Sequence, residues 1–176
     1  MLKKFFTLTG LVWFLSGCAT HAYLPQTTAD LPQLSSSEPV YVRVPEDGEY
    51  YQGRPYAGSG RMVASAIRES LFAYTTQVTV GASAESRTAA IKSASQVKAT
   101  YLFFPDIKHW EDRATEWSGK ADRLEVSIEV IDVATGKQIH GATLTGKSSW
   151  FTLGGDHPQD MLKAPVSEYI DALYSR

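Results

Sequence analysis

Residues 123–144 read RLEVSIEVIDVATGKQIHGATL, and this stretch decides the fold. Leu124, Val126, Ile128 and Val130 alternate with Arg123, Glu125, Ser127 and Glu129. Successive side chains of a strand point to opposite faces, so the pattern predicts one apolar face and one watered face. A sheet with one watered face is ordinarily antiparallel. Asp132-Val133-Ala134-Thr135-Gly136 supplies the turn, with Asp132 placed to close an Asx-type turn and Gly136 free to take positive φ. Gln138 to Trp150 then reads as the returning strand. Its inward set shifts from Ile139 to Ala142 and Leu144, which predicts a bulge near Gly141.

Working outward, Tyr101-Leu102-Phe103-Phe104 is an unbroken apolar run, as in a central strand covered on both faces. It continues past Pro105 towards Trp110. Further upstream, Pro39 to Val44 (PVYVRV) reads as the first strand of the domain. Ser59 is expected to cap a helix from Gly60 to about Tyr74, with Val63, Ile67, Leu71 and Tyr74 on one face. Gln77 to Val80 reads as a short strand ended by Gly81. Ser83 is expected to cap a second helix, about 84–98, with Ala90, Ile91, Ala94 and Val97 inward. Asp156 or His157 caps the last helix, with Pro158 in its first turn. Pro165 is expected to break or kink that helix before Val166, Ile170 and Leu173. The order is βαβαβββα: a single α/β (α+β mixed) domain over residues 39–176. Its first strands pair in parallel through right-handed crossovers, its last three form an antiparallel meander, and its helices lie mainly on one face of the mixed sheet.

The chain has 176 residues, 43% hydrophobic and 20% charged, ordinary usage for one globular domain. Its one cysteine excludes a disulfide framework and a multi-cysteine metal cluster. A formal charge of -2 gives no basic footprint for nucleic acid. No cofactor and no metal is expected.

The amino-terminal residues carry a targeting signal. Lys3 and Lys4 precede a short apolar run, Phe5 to Phe14. A bilayer-spanning helix needs roughly 20 apolar residues, so 1–17 read as a cleaved signal peptide. Leu15-Ser16-Gly17-Cys18 resembles a bacterial lipobox. That resemblance implies cleavage before Cys18, diacylation of its thiol and acylation of the new amino group, with palmitate-type chains. One chain alone holds only marginally, at roughly 0.8 kcal/mol per buried CH₂, whereas two or three make a stable anchor. Ala19, in place of the Asp associated with inner-membrane retention, favours the outer membrane, with the domain in the periplasm. Loss of 1–17 leaves 15 Lys and Arg against 19 Asp and Glu, so the membrane is reached through lipid and not through a polybasic patch. Residues 18–38 read as the acylated cysteine and a flexible tether, whose twenty residues reach at most ~70 Å when extended.

A family resemblance joins these parts. IKHWEDRATEWSGKADRLEVSIEVIDVATGKQI (107–139), GKSSW (146–150), GGDHPQDML (154–162) and PVSEYIDALY (165–174), together with the lipobox, resemble a family of small envelope lipoproteins. The family is catalogued as domain of unknown function 4823. The resemblance implies a gram-negative envelope lipoprotein and carries over no catalytic residue. At the level of fold, βαβ followed by a meander resembles the mixed-sheet domains of curli and exopolysaccharide secretion lipoproteins and of the Tol-system propeller protein. Those are binding and oligomerising modules, and fold alone does not fix function.

Several residues are candidates for chemistry. Asp106, His109, Glu111, Asp112 and Glu116 surround one histidine with carboxylates, a set suited to acid-base work or a cation. Regular strand alternation puts His109 and Glu111 on one face and Asp106 and Asp112 on the other, which splits the set and favours a solvated hairpin. Gly58-Ser59-Gly60 before a helix suggests a phosphate cradle, but the sixth position of a dinucleotide fingerprint is Val63 and not Gly. An anion at that helix start, helped by Arg61, is the residual form of the idea. Ser148, Ser149, Asp156 and His157 hold triad residue types without a nucleophile-elbow pattern. Trp110, Arg113, Trp117, Lys120 and Arg123 form the candidate contact surface, for a protein partner, a second copy or a cell-wall glycan. The bland alternative is that both indoles cover the edge of the sheet. The expected function is a non-enzymatic binding or assembly module; glycan binding is the alternative, and a hydrolase using His109 or His157 the third reading.

Cys18→Ala should leave unprocessed precursor and abolish acyl labelling. Mature Cys18→Ala protein that still fractionates with membranes and labels with palmitate would show the lipobox reading to be wrong.

Overall fold

A computed structural model describes residues 20–25, 33–49, 55–111, 122–148 and 157–174. The elements are β1 (Thr20–Pro25), β2 (Val40–Val44), α1 (Ser59–Leu71), β3 (Val78–Ala84), α2 (Arg87–Gln96), β4 (Tyr101–Glu111), β5 (Arg123–Asp132), β6 (Gln138–Lys147) and α3 (Pro158–Tyr174). From β2 onward this is the expected order β-α-β-α-β-β-β-α in one mixed domain. The sheet order is β1-β6-β5-β4-β2-β3. β2 pairs in parallel with β3 and β4, whereas β4, β5, β6 and β1 pair antiparallel.

Two helices share one face of the sheet. Val63, Ile67 and Leu71 of α1 and Leu162, Val166 and Ile170 of α3 pack with Val42, Phe103, Val126, Ile128 and Leu144 in one buried cluster. Each of these side chains contributes roughly 1.5–3 kcal/mol by leaving water. α2 alone covers part of the other face, where Ala90 and Ala94 meet Tyr41, Leu102 and Ile131. The alanines let this helix sit close to the strands. The β5–β6 turn forms as its sequence dictates: Asp132 accepts from the Thr135 amide (2.8 Å) and hydroxyl (2.7 Å), and Gly136 has φ 66°. Those two bonds hold the Asp132 carboxyl below its ordinary range.

Local details depart from expectation where distant contacts decide. β3 runs on through Gly81 to Ala84, so the cap of α2 falls at Ser86 and not at Ser83; its hydroxyl accepts from the Ala89 amide at 3.3 Å. Val97, expected inward, is exposed. The β6 bulge lies at Ile139, two residues before the expected place: Val130 pairs with His140, but Ile131 pairs with Gln138. α3 continues across Pro165, which is itself buried. A mid-helix proline costs about 3 kcal/mol, and here Met161, Leu162, Val166, Tyr169, Ile170 and Leu173 bury on both sides of it.

The segment read as tether is partly built into the domain. Thr20 to Pro25 pair residue by residue with Lys147 to Ala142 as β1. Leu34 is buried, and its amide donates to the Leu173 carbonyl at 3.0 Å. The packed domain therefore begins earlier than residue 39. Leu24 stays exposed, and Leu31 lies outside the described residues.

Trp110 corrects the proposed contact surface. It is 4% exposed and belongs to the main core, where it continues the apolar face of β4 beside Leu124. It packs instead of presenting a ring. Truncation of a buried aromatic costs about 3–5 kcal/mol, so Trp110→Ala should lose that much stability in chemical denaturation. Exposed Arg123, changed to Ala, should move stability by no more than about 0.5 kcal/mol. Equal small effects would return Trp110 to the surface.

Candidate functional site

The polar side of the sheet gathers the acidic cluster, through a bulge that the sequence pattern does not show. Ile107 pairs with Val126, but His109 pairs with Glu125, so Lys108 is the extra residue in β4. The bulge resets the alternation. Asp106 now pairs with Ser127, His109 with Glu125 and Glu111 with Arg123, and all three face the polar side. The expected split of Asp106 from His109 and Glu111 is therefore overturned. Asp112 and Glu116 lie outside the described residues.

The chemistry of this face is that of solvated pairs. Lys108 bonds Asp106, and that hydrogen bond, followed by the charge of the same carboxylate, raises the lysine above its ordinary range. His109 Nε2 lies 3.4 Å from Glu111 Oε2, with the imidazole half-exposed. Arg87 reaches across from α2 to Glu129. Glu46, Asp47 and Glu49 join residues 106–111 around an open concavity of about 590 Å³. Among the described residues, no group of three His, Cys, Asp or Glu is arranged to hold a metal ion.

Gly58-Ser59-Gly60 binds an anion, and the anion is the protein's own. Asp47 Oδ1 accepts from the Gly60 amide (2.8 Å) and Oδ2 from the Gly58 amide (3.0 Å). The start of α1 is thus capped from eleven and thirteen residues away. Ser59 is not the cap: its hydroxyl accepts from the Gly48 amide at 2.9 Å. Gly58 sits at φ 89°, and a Cβ on Gly60 would lie 2.2 Å from the Pro45 carbonyl oxygen. Both glycines are explained by the turn. Arg61, the presumed helper, donates to the Ala82 carbonyl at 3.0 Å.

A buried cluster around Arg43 was not singled out in the sequence. Arg43 is 7% exposed on the polar side of β2. Its Nε donates to the Glu85 carbonyl and its Nη1 to the Pro105 carbonyl, both at 2.7 Å, and its guanidinium lies 4.3 Å over the Phe104 ring. Burial lowers its pKa, against the raising effect of Asp106, Glu46 and Glu85. Glu85 accepts from Tyr41 (2.8 Å) and Ser93 (2.5 Å), and Tyr41 is pushed up to about 12, first by burial and then by that bond. A charged residue inside an otherwise apolar strand, VYVRV, was the available signal. The cluster joins β2, β4 and the start of α2.

The other candidates separate. Ser148 is buried, and its hydroxyl accepts from the Asp122 amide at 2.8 Å. His157 precedes α3, and its carbonyl accepts from the Asp160 amide at 2.9 Å. Ser149 and Asp156 lie outside the described residues, as do Cys18, Arg113, Trp117 and Lys120. Arg123 is exposed, in register with Glu111 and Lys147.

The fold defines the class: a small mixed-sheet domain with a parallel crossover half and an antiparallel meander half. The chain belongs to the family described as Domain of unknown function (DUF4823), whose model matches residues 32–173. No curated protein matches the sequence. Among solved structures, the PelC dodecamer from Paraburkholderia phytofirmans has a similar fold, with TM-score 0.66 and 17% identity, covering 90% of this chain and 99% of that one. Lipoprotein GNA1162 from Neisseria meningitidis is similar at TM-score 0.50 and 14% identity, covering 77% of this chain and 99% of that one.

Loss of an N-terminal cap costs about 0.5–2 kcal/mol. Asp47→Ala should lower the unfolding free energy by that amount, and Asp47→Asn, which keeps one acceptor, by less. An unchanged denaturation midpoint for Asp47→Ala would remove the cap assignment.

Proposed function

We propose that this chain is an acylated lipoprotein of the outer membrane, acting on the periplasmic side as a non-enzymatic binding or assembly module. The observation that carries the reading is Leu15-Ser16-Gly17-Cys18, with the unique cysteine closing a short charged-then-apolar leader. The fold supports it as context: one similar structure is titled a dodecamer and another a lipoprotein. Self-association has a physical basis in the sheet. β1 and β3 are its two edges among the described residues. β3, VTVGASA, holds neither a charged residue nor a proline, the devices that ordinarily blunt an edge. Such an edge can take a further strand.

In this reading the exposed polar face binds and does not catalyse. The Ser148 hydroxyl is occupied by a backbone amide, and His109 stands half in water beside Glu111. The glycan alternative needs open aromatic faces, and Trp110 offers none. The contact surface retained is Arg113, Trp117, Lys120 and Arg123. Glu111 and Asp122 bracket residues 112–121, so a partner held there meets the end of the sheet where β4 stops and β5 starts.

Crosslinking in intact cells tests the module. Trp117→Ala should change stability by no more than about 0.5 kcal/mol and reduce crosslinked species per folded molecule. A large fall in melting temperature with crosslinks retained would assign Trp117 to packing and leave the partner surface elsewhere.

A further inference from the structure

The position of β1 sets which end of the sheet lies next to Cys18 in the chain. Thr20 pairs with Lys147, Lys147 with Arg123, and Arg123 with Glu111. One row of four strands thus marks a single end of the sheet. Only Ala19 stands between Cys18 and Thr20. Two residue steps reach at most ~7 Å. An acyl-bearing Cys18 is therefore held beside this row and cannot swing on a long leash, because β1 is paired along all six of its residues.

We propose that this end of the sheet, the row Thr20, Lys147, Arg123 and Glu111, is a membrane-docking surface that rests against phospholipid headgroups. The inference rests on the lipoprotein reading and adds an orientation to it; Arg123 belongs to this row and to the proposed contact surface, so a partner held there is met beside the membrane. The occupant follows from the length of chain before β1 and from where that chain ends. Residues 26–38, read from sequence as a stand-off tether, come after β1 and connect it to β2, so they do not separate the domain from the lipid. Arg123 and Lys147 are exposed neighbours in this row, and Glu111 completes it. Glu46, Asp47 and Glu49 line a concavity with Glu111 at this end, so the short chain between Cys18 and β1, and not charge, sets the orientation. The far end carries the Asp132–Gly136 turn. The nine steps of β6 span ~30 Å, so that turn stands about one domain length further from the lipid.

Depth-dependent quenching tests the orientation. Full-length acylated protein carries one fluorophore, at Lys147→Cys or at Lys137→Cys, exposed positions at opposite ends of β6 that lose the same charge. The vesicles are phosphatidylethanolamine and phosphatidylglycerol with a headgroup-attached nitroxide. With ~30 Å between the labels, quenching at 147 should exceed that at 137 by about threefold or more. Ala22→Pro with Tyr23→Pro removes two successive β1 amides, one of which must face β6, and should bring the ratio towards one. Equal quenching at both positions in the unmodified strand overturns the docking surface while leaving the lipoprotein reading intact. A high ratio that survives the double proline change also overturns it, because the orientation would not come from β1. Wild-type protein that carries no acyl chain and floats free of the vesicles defeats the lipoprotein reading itself and the inference with it, whereas Cys18→Ala is expected to float free and serves as the control.

Discussion

One constraint organises the molecule: a strand turns its side chains with period two, yet one face of this sheet must stay apolar under α1 and α3 along strands of unequal length. The rise and twist of the strands do not keep that phase for ten residues in every case. β4 and β6 each solve the problem with one extra residue, Lys108 and Ile139. A bulge costs a ladder bond locally and restores the burial of everything beyond it. Past Lys108 it returns Trp110 to the core beside Leu124. Past Ile139 it sets Ala142 and Leu144 under α3. The same step has a consequence on the opposite face, where Asp106, His109 and Glu111 become neighbours.

That opposite face is finished differently along its length. Beneath α2 it is apolar; further along it passes through Arg43, whose charge is held by two carbonyls and an aromatic face, and then becomes fully polar. An arginine suits this boundary because its planar fork serves two acceptors at once while its ring-like face lies on Phe104. Lysine would supply the charge without the fork. The Glu85 carboxylate is in turn occupied by Tyr41 and Ser93, so the polar groups at the boundary satisfy one another instead of waiting for a ligand.

The sequence made the architecture legible because its signals are local and repeated. Four alternating apolar residues in β5, a helix stripe of Val63, Ile67 and Leu71, and an Asp–Gly turn all act within a few residues of themselves. What stayed hidden depends on groups far apart in the chain. Asp47 caps a helix across a loop, so Ser59 looked like the cap when it was only beside it. β1 has no strong strand pattern of its own in THAYLP and forms on the free edge of β6, more than a hundred residues away. Pro165 breaks a helix in isolation but not one held from both sides. The contact surface was half legible for the same reason. Its composition was visible, but whether Trp110 faced water turned on a bulge two residues before it.

In the proposed lipoprotein, β1 also changes what an acyl anchor on Cys18 would mean mechanically. A long coil between lipid and domain would let every face meet the membrane in turn, and a partner would have to capture a freely rotating body. A strand pinned to the sheet edge removes most of that rotation. Association in the plane of a membrane then costs less orientational freedom than association from solution, since the orientation is already set. Pairing of β1 also covers one edge of β6, so among the described residues β1 itself becomes an edge of the sheet. β3, the other edge, stands on the far side of the sheet. Copies fixed upright by their β1 strands would therefore present unlike edges to one another, β1 against β3. That head-to-tail geometry closes into a ring or runs on as a filament according to the angle between neighbours.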